Sequence, residues 1–267
     1  MAVIIFNGRS SQDYHIQVEH PPGYETPERD YDITHVPGRN GDVVIDKGSY
    51  KNVDRVYEIA AGSLGGDFTE FANLISEWLH SASAYARLED SFEPDYYRLA
   101  IYEERGDIEN ILGQAARTEI TFNCKPQRFL KVGDDSVSVN SGGRVTNPTG
   151  FTALPIITVK INERESGVLK VGSTTVTISA KTSDIDYLRD SNGDYILDSS
   201  GNKIQETNIL LLVLDSEIQD AYIGTENANS LITLNSGRFP NLVSGSNVIT
   251  FSGGITLVEV VPKWWTL

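Results

Sequence analysis

Short runs of alternating apolar and polar residues, broken every few positions by Gly, Asn, Asp or Pro, occupy almost the whole chain. Period-two alternation turns one face of a strand into a core and the other into water, and the breaks supply turns, so the pattern fits antiparallel sheet. In the first half it predicts strands over 2–7, 14–19, 31–36, 42–46, 53–60, 84–90, 96–102 and 117–124. In the second half it predicts strands over 154–161, 167–171, 174–179, 209–214, 231–234, 248–251 and 255–261. The second set, with its frequent glycine turns, reads as an antiparallel β-sandwich. No strand–helix–strand rhythm is present, which argues against a doubly wound nucleotide-binding fold.

One segment departs from the alternation. Over 67–81 the apolar residues Phe68, Phe71, Ala72, Ile75, Trp78 and Leu79 fall at helical spacing. Asp67 and Glu70 sit where a capping box would satisfy the free N–H groups of the first turn. His80, at the other end, suits a helix C-terminus.

The expected fold is therefore mainly β, with one helix in the first half and a sandwich in the second. The stretch 133–150 is rich in Gly, Ser and Asn and poor in core formers, which marks a boundary. It divides the chain into 1–132, a linker over 133–150, and 151–267. With 37 acidic and 22 basic residues the net charge is −15, and both halves are acidic. Phosphate binding needs clustered Lys and Arg, so no stable nucleic-acid binding is expected. No apolar run approaches the roughly 18–20 residues that cross a bilayer, and the first residues lack the basic and apolar regions of a signal peptide. The expectation is of no membrane insertion and no export by that route. The single cysteine, Cys124, excludes an internal disulfide. Its strand pattern with Ile120 and Phe122 makes it a small core residue.

No motif for catalysis stands out. His15, His20, His35 and His80 form no i, i+4 pair, and there is no Gly-x-Ser-x-Gly elbow. The carboxylates Glu89, Asp90, Glu93 and Asp95 could in principle supply a glycosidase pair, but in so acidic a chain solvated surface is the better reading. Gly62–Gly66 and Gly142-Gly143 lack the lysine and spacing of a phosphate loop. Asp190, Asn192 and Asp194 begin like a calcium loop, but Tyr195 and Gly201 stand where Gly and a bidentate Glu are needed. That segment is better read as an eight-residue repeat, Asp190-Ser-Asn-Gly-Asp-Tyr-Ile then Asp198-Ser-Ser-Gly-Asn-Lys-Ile, forming a solvated hairpin. No enzyme activity, catalytic residue, cofactor or metal is expected.

Two features point to partners. Between 31 and 53 lie Pro37-Gly-Arg-Asn-Gly41 and Asp46-Lys-Gly48, tight turns that would throw a narrow ribbon out from a sheet. Val36, Pro37, Gly38, Arg39, Asn40 and Gly41 at its tip, with the aromatic pair Tyr96 and Tyr97, are the candidate interface residues. Adjacent indoles, Trp264 and Trp265, are costly to expose, so that strand is expected to dock within the sandwich or against the first domain.

The order of Val36-Pro-Gly-Arg-Asn-Gly41, Arg87-Leu-Glu-Asp through Tyr97, Cys124-Lys-Pro-Gln-Arg-Phe129, Asp215-Ser-Glu-Ile-Gln-Asp-Ala-Tyr222, Phe239-Pro-Asn-Leu, Gly245-Ser-Asn and Pro262-Lys-Trp-Trp-Thr-Leu267 resembles the distal tail protein family of siphophages, mainly of Gram-positive hosts. The resemblance implies an N-terminal ring-forming β domain with one α-helix and a C-terminal galectin-like antiparallel β-sandwich. It implies a homo-hexamer at the phage tail tip, made in the host cytoplasm. That ring would join the tail tube protein to a tail-associated lysin or fibre protein and, in some members, to receptor-binding proteins. Some relatives carry inserted carbohydrate-binding modules, where this chain has the short repeat. The alternative reading is a carbohydrate-binding adhesin module recognising the host surface.

Overall fold

The computed structural model describes residues 2–61, 68–103, 117–181, 187–204 and 208–267. They form two compact units, Met1–Lys131 with Trp265–Leu267, and Val132–Trp264. Every strand pairing among the described residues is antiparallel, and no described helix is long and apolar enough to cross a membrane.

The first unit contains β1 (Ile4–Phe6), β2 (Arg9–Ser10), β3 (Ile16–Val18), β4 (Arg29–Thr34), β5 (Val43–Tyr50), β6 (Val53–Ala61), α1 (Phe68–Leu79), β7 (Ala86–Asp90), β8 (Tyr96–Tyr102) and β9 (Arg117–Leu130). All its strands but β4 and β5 form one sheet in the order β2-β1-β7-β8-β9-β6-β3. Ile75, Trp78 and Leu79 of α1 are buried with Ile4, Phe6, Tyr57, Ile59 and Phe122 of the sheet. Trp78 stacks on Tyr14, centroids 5.1 Å apart. The helical stripe thus does what its spacing predicts. The helix begins and ends inside the expected 67–81, and Asp67, the first member of the expected capping box, lies outside the described residues, as does the stretch 62–66 with its glycines. At its C-terminal end the His80 ring donates to the Ser76 carbonyl at 3.0 Å. Cys124 is fully buried, and desolvation pushes its thiol up to about 12.

Strand β9 runs well past its predicted end at Cys124 because Pro126 does not stop it. Opposite Leu99 of β8, three residues, Lys125, Pro126 and Gln127, bulge out before pairing resumes at Arg98 and Arg128. A bulge is where a strand tolerates a residue without an N–H. One edge of β9 is taken by β6 as far as Cys124. Beyond the bulge a further strand, described below, pairs with Arg128 and Phe129.

Beside that bulge lies a charged cluster. Glu93 accepts from Arg55 at 2.8 Å and from Arg128 at 2.5 Å, and lies 3.8 Å from Arg98. Asp90 accepts from the Tyr57 hydroxyl at 2.7 Å, from Arg55, and from the amides of Phe92 and Glu93. Arg55, Arg98 and Asp90 are buried.

The second unit contains β10 (Val137–Val139), β11 (Gly143–Asn147), β12 (Ile156–Asn162), β13 (Gly167–Val171), β14 (Thr174–Ile178), β15 (Ile209–Asp215), β16 (Asp220–Ile223), β17 (Glu226–Asn227), β18 (Ile232–Leu234), β19 (Gly245–Gly253) and β20 (Ile255–Val261). Six strands run β10-β20-β12-β15-β16-β17 and five run β11-β19-β13-β14-β18. Alternate residues, among them Ile157, Val159, Leu212, Val258, Leu169, Val176 and Ile249, are buried, which is the expected sandwich pattern. The stretch 133–150, expected as a linker, instead supplies β10 and β11, one to each sheet. Its glycines and asparagines turn between short strands, whose pairing comes from β20 and β19 rather than from their own composition. Gly133 is packed so closely that a Cβ there would lie 2.5 Å from the Trp264 backbone nitrogen.

Pro262 and Trp264 are buried with the second unit, while β21 (Trp265–Thr266) belongs to the first. It pairs with Arg128 and Phe129, and the Arg128 guanidinium donates to the Leu267 carbonyl at 2.8 and 3.2 Å. The segment 151–267 is therefore not one domain to its end. Its last three residues complete the first unit.

Two stability outcomes follow from this packing. Glu93→Gln leaves three guanidiniums around a neutral amide and should lower unfolding free energy in urea by about 3 kcal/mol, the low end for breaking a buried ion pair because Glu93 is partly exposed. A midpoint unchanged from the native chain would show that the cluster is not a structural node. Gly133→Ala should cost about 1–3 kcal/mol by overpacking against Trp264, seen as a lowered calorimetric transition.

Candidate functional site

The exposed element that stands apart from both cores is the two-stranded ribbon β4–β5. Register fixes its faces. Ile33 lies opposite Val44 and Tyr31 opposite Asp46, so Tyr31, Ile33 and Val44 share one face, with Arg29 and Asp46 paired beside them. Asp30, Asp32, Ile45 and Lys47 lie on the other, Lys47 bridging Asp32 at 2.9 Å and Asp30 at 3.5 Å. The second expected turn, Asp46-Lys-Gly48, is instead a bulge within β5: Lys47 and Gly48 stand unpaired between Asp46 and Ser49. Gly48 has φ +77°, and its amide donates to the Asp46 carboxylate at 2.9 Å.

A lone pair of strands is marginal in water, and exposed ion pairs add little. Yet Ile33 is 58%, Val44 61% and Ile45 54% exposed. Three such side chains on one small ribbon form a surface made for a partner rather than for solvent. The root of the ribbon is tied down: Lys51 pairs with Glu28 at 2.9 Å and Arg29 lies over the Tyr50 ring. Asn52, just beyond it, contacts Tyr85 and Asn123.

The predicted tip residues Val36, Pro37, Gly38, Arg39, Asn40 and Gly41 are all exposed in the loop that joins the two strands. Gly38 and Gly41 take φ +84° and +79°, which only glycine adopts at no cost. His35 and Asp42 close the neck of the loop at 3.1 Å. The aromatic pair is elsewhere and does not join them. Tyr97 is 7% exposed, stacked on Phe129 at 5.3 Å with the Arg87 guanidinium 3.8 Å from its centroid. It is occupied by its own sheet rather than exposed. Tyr96 is half-buried under Arg128. The ribbon expected between 31 and 53 includes Tyr31, Ile33, Val44 and Ile45, but sequence reasoning singled out only its tip, because an apolar residue in a strand reads as core until its pairing shows nothing packed on it.

The repeat in the second unit forms the two expected turns, each closed by an antiparallel bridge, Arg189 with Tyr195 and Leu197 with Lys203, but a third set of bonds goes beyond a simple hairpin. Leu188 N–H donates to Ile204, Ile204 to Ile196 and Ile196 to Leu188, so three positions eight residues apart close a cycle of backbone bonds. The Asp190 carboxylate accepts the amides of Asn192 and Asp194, and Asp198 accepts those of Ser200 and Asn202. Bonds from Asn202 hold the Asp198 carboxyl below the usual carboxylate range. These oxygens brace turns, and no cluster of metal-ligating side chains occurs among the described residues. The Tyr195 ring is engaged by Arg189 at 3.9 Å and Lys203 at 3.6 Å. The carboxylates weighed as a glycosidase pair are likewise engaged: Glu89 by Arg87 and Lys131, Asp90 and Glu93 by the arginine cluster. Those cations hold the Glu89 carboxyl below its ordinary range against the opposing effect of burial.

No family profile and no curated protein matches the sequence. The fold does match a solved one. The crystal structure of SPP1 Dit, described as a paradigm of the hub adsorption apparatus in phages infecting Gram-positive bacteria, is similar to this chain with a TM-score of 0.67 over 100% of both chains, at 13% sequence identity. The chain therefore has the fold of that hub protein along its entire length.

Proposed function

We propose that this chain is a structural, non-enzymatic hub of a bacteriophage tail tip. Six copies close a ring through residues 1–132, and the ring joins the tail tube protein to a tail-associated lysin or fibre protein and to receptor-binding proteins. The observation that carries the reading is the fold shared from end to end with a hub adsorption protein. The exposed ribbon supports it independently. A closed ring needs a heterologous contact, one surface of a copy meeting a different surface of the next. A ribbon whose strand of eight residues spans roughly 26 Å is long enough to reach a neighbour, and its Tyr31, Ile33 and Val44 face offers apolar area to bury there.

The adhesin reading has less to rest on. In the six-stranded sheet of the second unit, the outward positions of β12, β15 and β20 mix Ile156, Leu211, Val213 and Leu257 with Thr158, Lys160 and Glu259, and none of these three strands supplies an aromatic ring for a sugar to stack on. Trp264 is buried and Tyr195 is covered by cations. Glycan-array binding by the full chain would restore that reading.

The assembly reading is tested by native mass and negative-stain imaging of the purified chain, alone and with tube and fibre partners. A six-fold ring is expected. Ile33→Ser with Val44→Ser should abolish it while leaving the melting behaviour of the single chain nearly unchanged, since surface substitutions away from a core stay within about 0.5 kcal/mol. Compact monomers under every condition, or a ring indifferent to the double substitution, would overturn the reading or the ribbon's part in it.

A further inference from the structure

Asn-Gly occurs at Asn7-Gly8, Asn40-Gly41 and Asn192-Gly193. Asparagine before glycine is chemically labile, because a residue without a Cβ lets its backbone nitrogen reach the preceding carboxamide. The three pairs share this sequence risk, and the fold treats them differently. We propose that Asn40, at the tip of the ribbon, is a site of spontaneous conversion to aspartate and isoaspartate in the folded chain, and that local hydrogen bonding protects Asn7 and Asn192.

In the reaction the Gly41 nitrogen attacks Cγ of Asn40. The N–Cγ bond forms, the Cγ–Nδ2 bond breaks, and Nδ2 departs as ammonia with the proton lost from the Gly41 amide. Water then opens the resulting five-membered imide at either carbonyl. Opening at one restores the normal backbone with a β-carboxylate, and opening at the other routes the backbone through Cγ. The net change is one water consumed and one ammonia released, with no oxidant or cofactor.

Two freedoms are required: the carboxamide must rotate towards the chain, and the following nitrogen must be available to attack. At Asn7 the carboxamide is pinned, Nδ2 donating to the Ser81 carbonyl and hydroxyl at 3.3 Å each. At Asn192 the attacking nitrogen is engaged, Gly193 N–H donating to the Asp190 carbonyl at 3.0 Å, within a turn also held by the Asn192 and Asp194 amides on the Asp190 carboxylate. At Asn40 both freedoms exist. Asn40 and Gly41 are exposed, and neither the carboxamide nor the Gly41 nitrogen has a hydrogen-bond partner among the described residues. The product places a second carboxylate near Asp42, and the isoaspartyl form lengthens a loop whose closure depends on the His35–Asp42 contact. That this would impair ring closure rests on the assembly reading above; the conversion itself does not.

Peptide mapping by mass spectrometry tests the site, on chain held in mildly alkaline buffer, folded and in guanidinium chloride. The Ile33→Ser/Val44→Ser chain is mapped in parallel so that assembly cannot shield the tip. In the folded protein the Asn40 peptide should convert about ten-fold faster than those carrying Asn7 and Asn192, the ratio set by roughly one net hydrogen bond. In guanidinium chloride the three rates should converge, and Asn40→Gln should remove the fast conversion alone. Equal rates in the folded chain, or an Asn40 peptide that reacts only when unfolded, would overturn the proposal. Because the reading is chemical and local, absence of a ring in the assembly measurement leaves it standing.

Discussion

Glu93 is the point on which the first unit turns. It sits among Arg55, Arg98 and Arg128, and each of those side chains comes from a different strand of one sheet. Two of the arginines are buried, so the carboxylate is needed to offset charges already removed from water. Its location is no accident of sequence. The short turn from Asp90 to Tyr96, braced by amides on the Asp90 carboxylate, lifts Glu93 over the place where β9 bulges around Pro126. The bulge delivers Arg128 to the carboxylate, and Arg128 in turn holds the Leu267 carbonyl beside its own strand. A local irregularity of three residues thus connects the middle of the chain to residues 265–267.

The ribbon shows the opposite economy. Nothing among the described residues buries its apolar face, and its charges are neutralised on its own surface by Arg29–Asp46 and Lys47–Asp32. Such an element is set by its register and its root rather than by a core. Its geometry is defined while its hydrophobic area remains uncommitted, a combination that suits a contact made between chains.

Much of this was legible in the sequence. The stripe of Ile75, Trp78 and Leu79 specified the helix and the face it buries, because helical spacing leaves few alternatives. The apolar runs 154–161 and 209–214 specified strands, although in 209–214 it is the pairing that turns Leu212 and Leu214, and not Leu211, to the core. The costly exposure of adjacent indoles foretold that Trp264 and Trp265 would dock, although not that they would serve different units. What could not be read depends on partners far away in sequence. Strands β10 and β11 are short pieces of a Gly- and Ser-rich stretch and β21 is only two residues long, and they exist because β20, β19 and β9 present free edges to them. Tyr97 was indistinguishable from an exposed anchor, since an aromatic residue in a strand looks the same on either face until Phe129 and Arg87 are seen against it. Pro126 looked like a strand end because the two extra residues that accommodate it have no signature of their own.

The pairing of β21 with β9 makes the second unit, in topological terms, the loop of a hairpin. The atoms that close it, Arg128 and Leu267, are 139 residues apart. Closing so long a flexible loop is entropically costly for a contact this small, but a folded sandwich that already holds its two ends together removes most of that cost. Completion of the first unit therefore waits on the folding of the second. During synthesis the edge of β9 at Arg128 and Phe129 would emerge early and stay open until the sandwich had formed, so the order of translation and the order of assembly are coupled through two residues of strand.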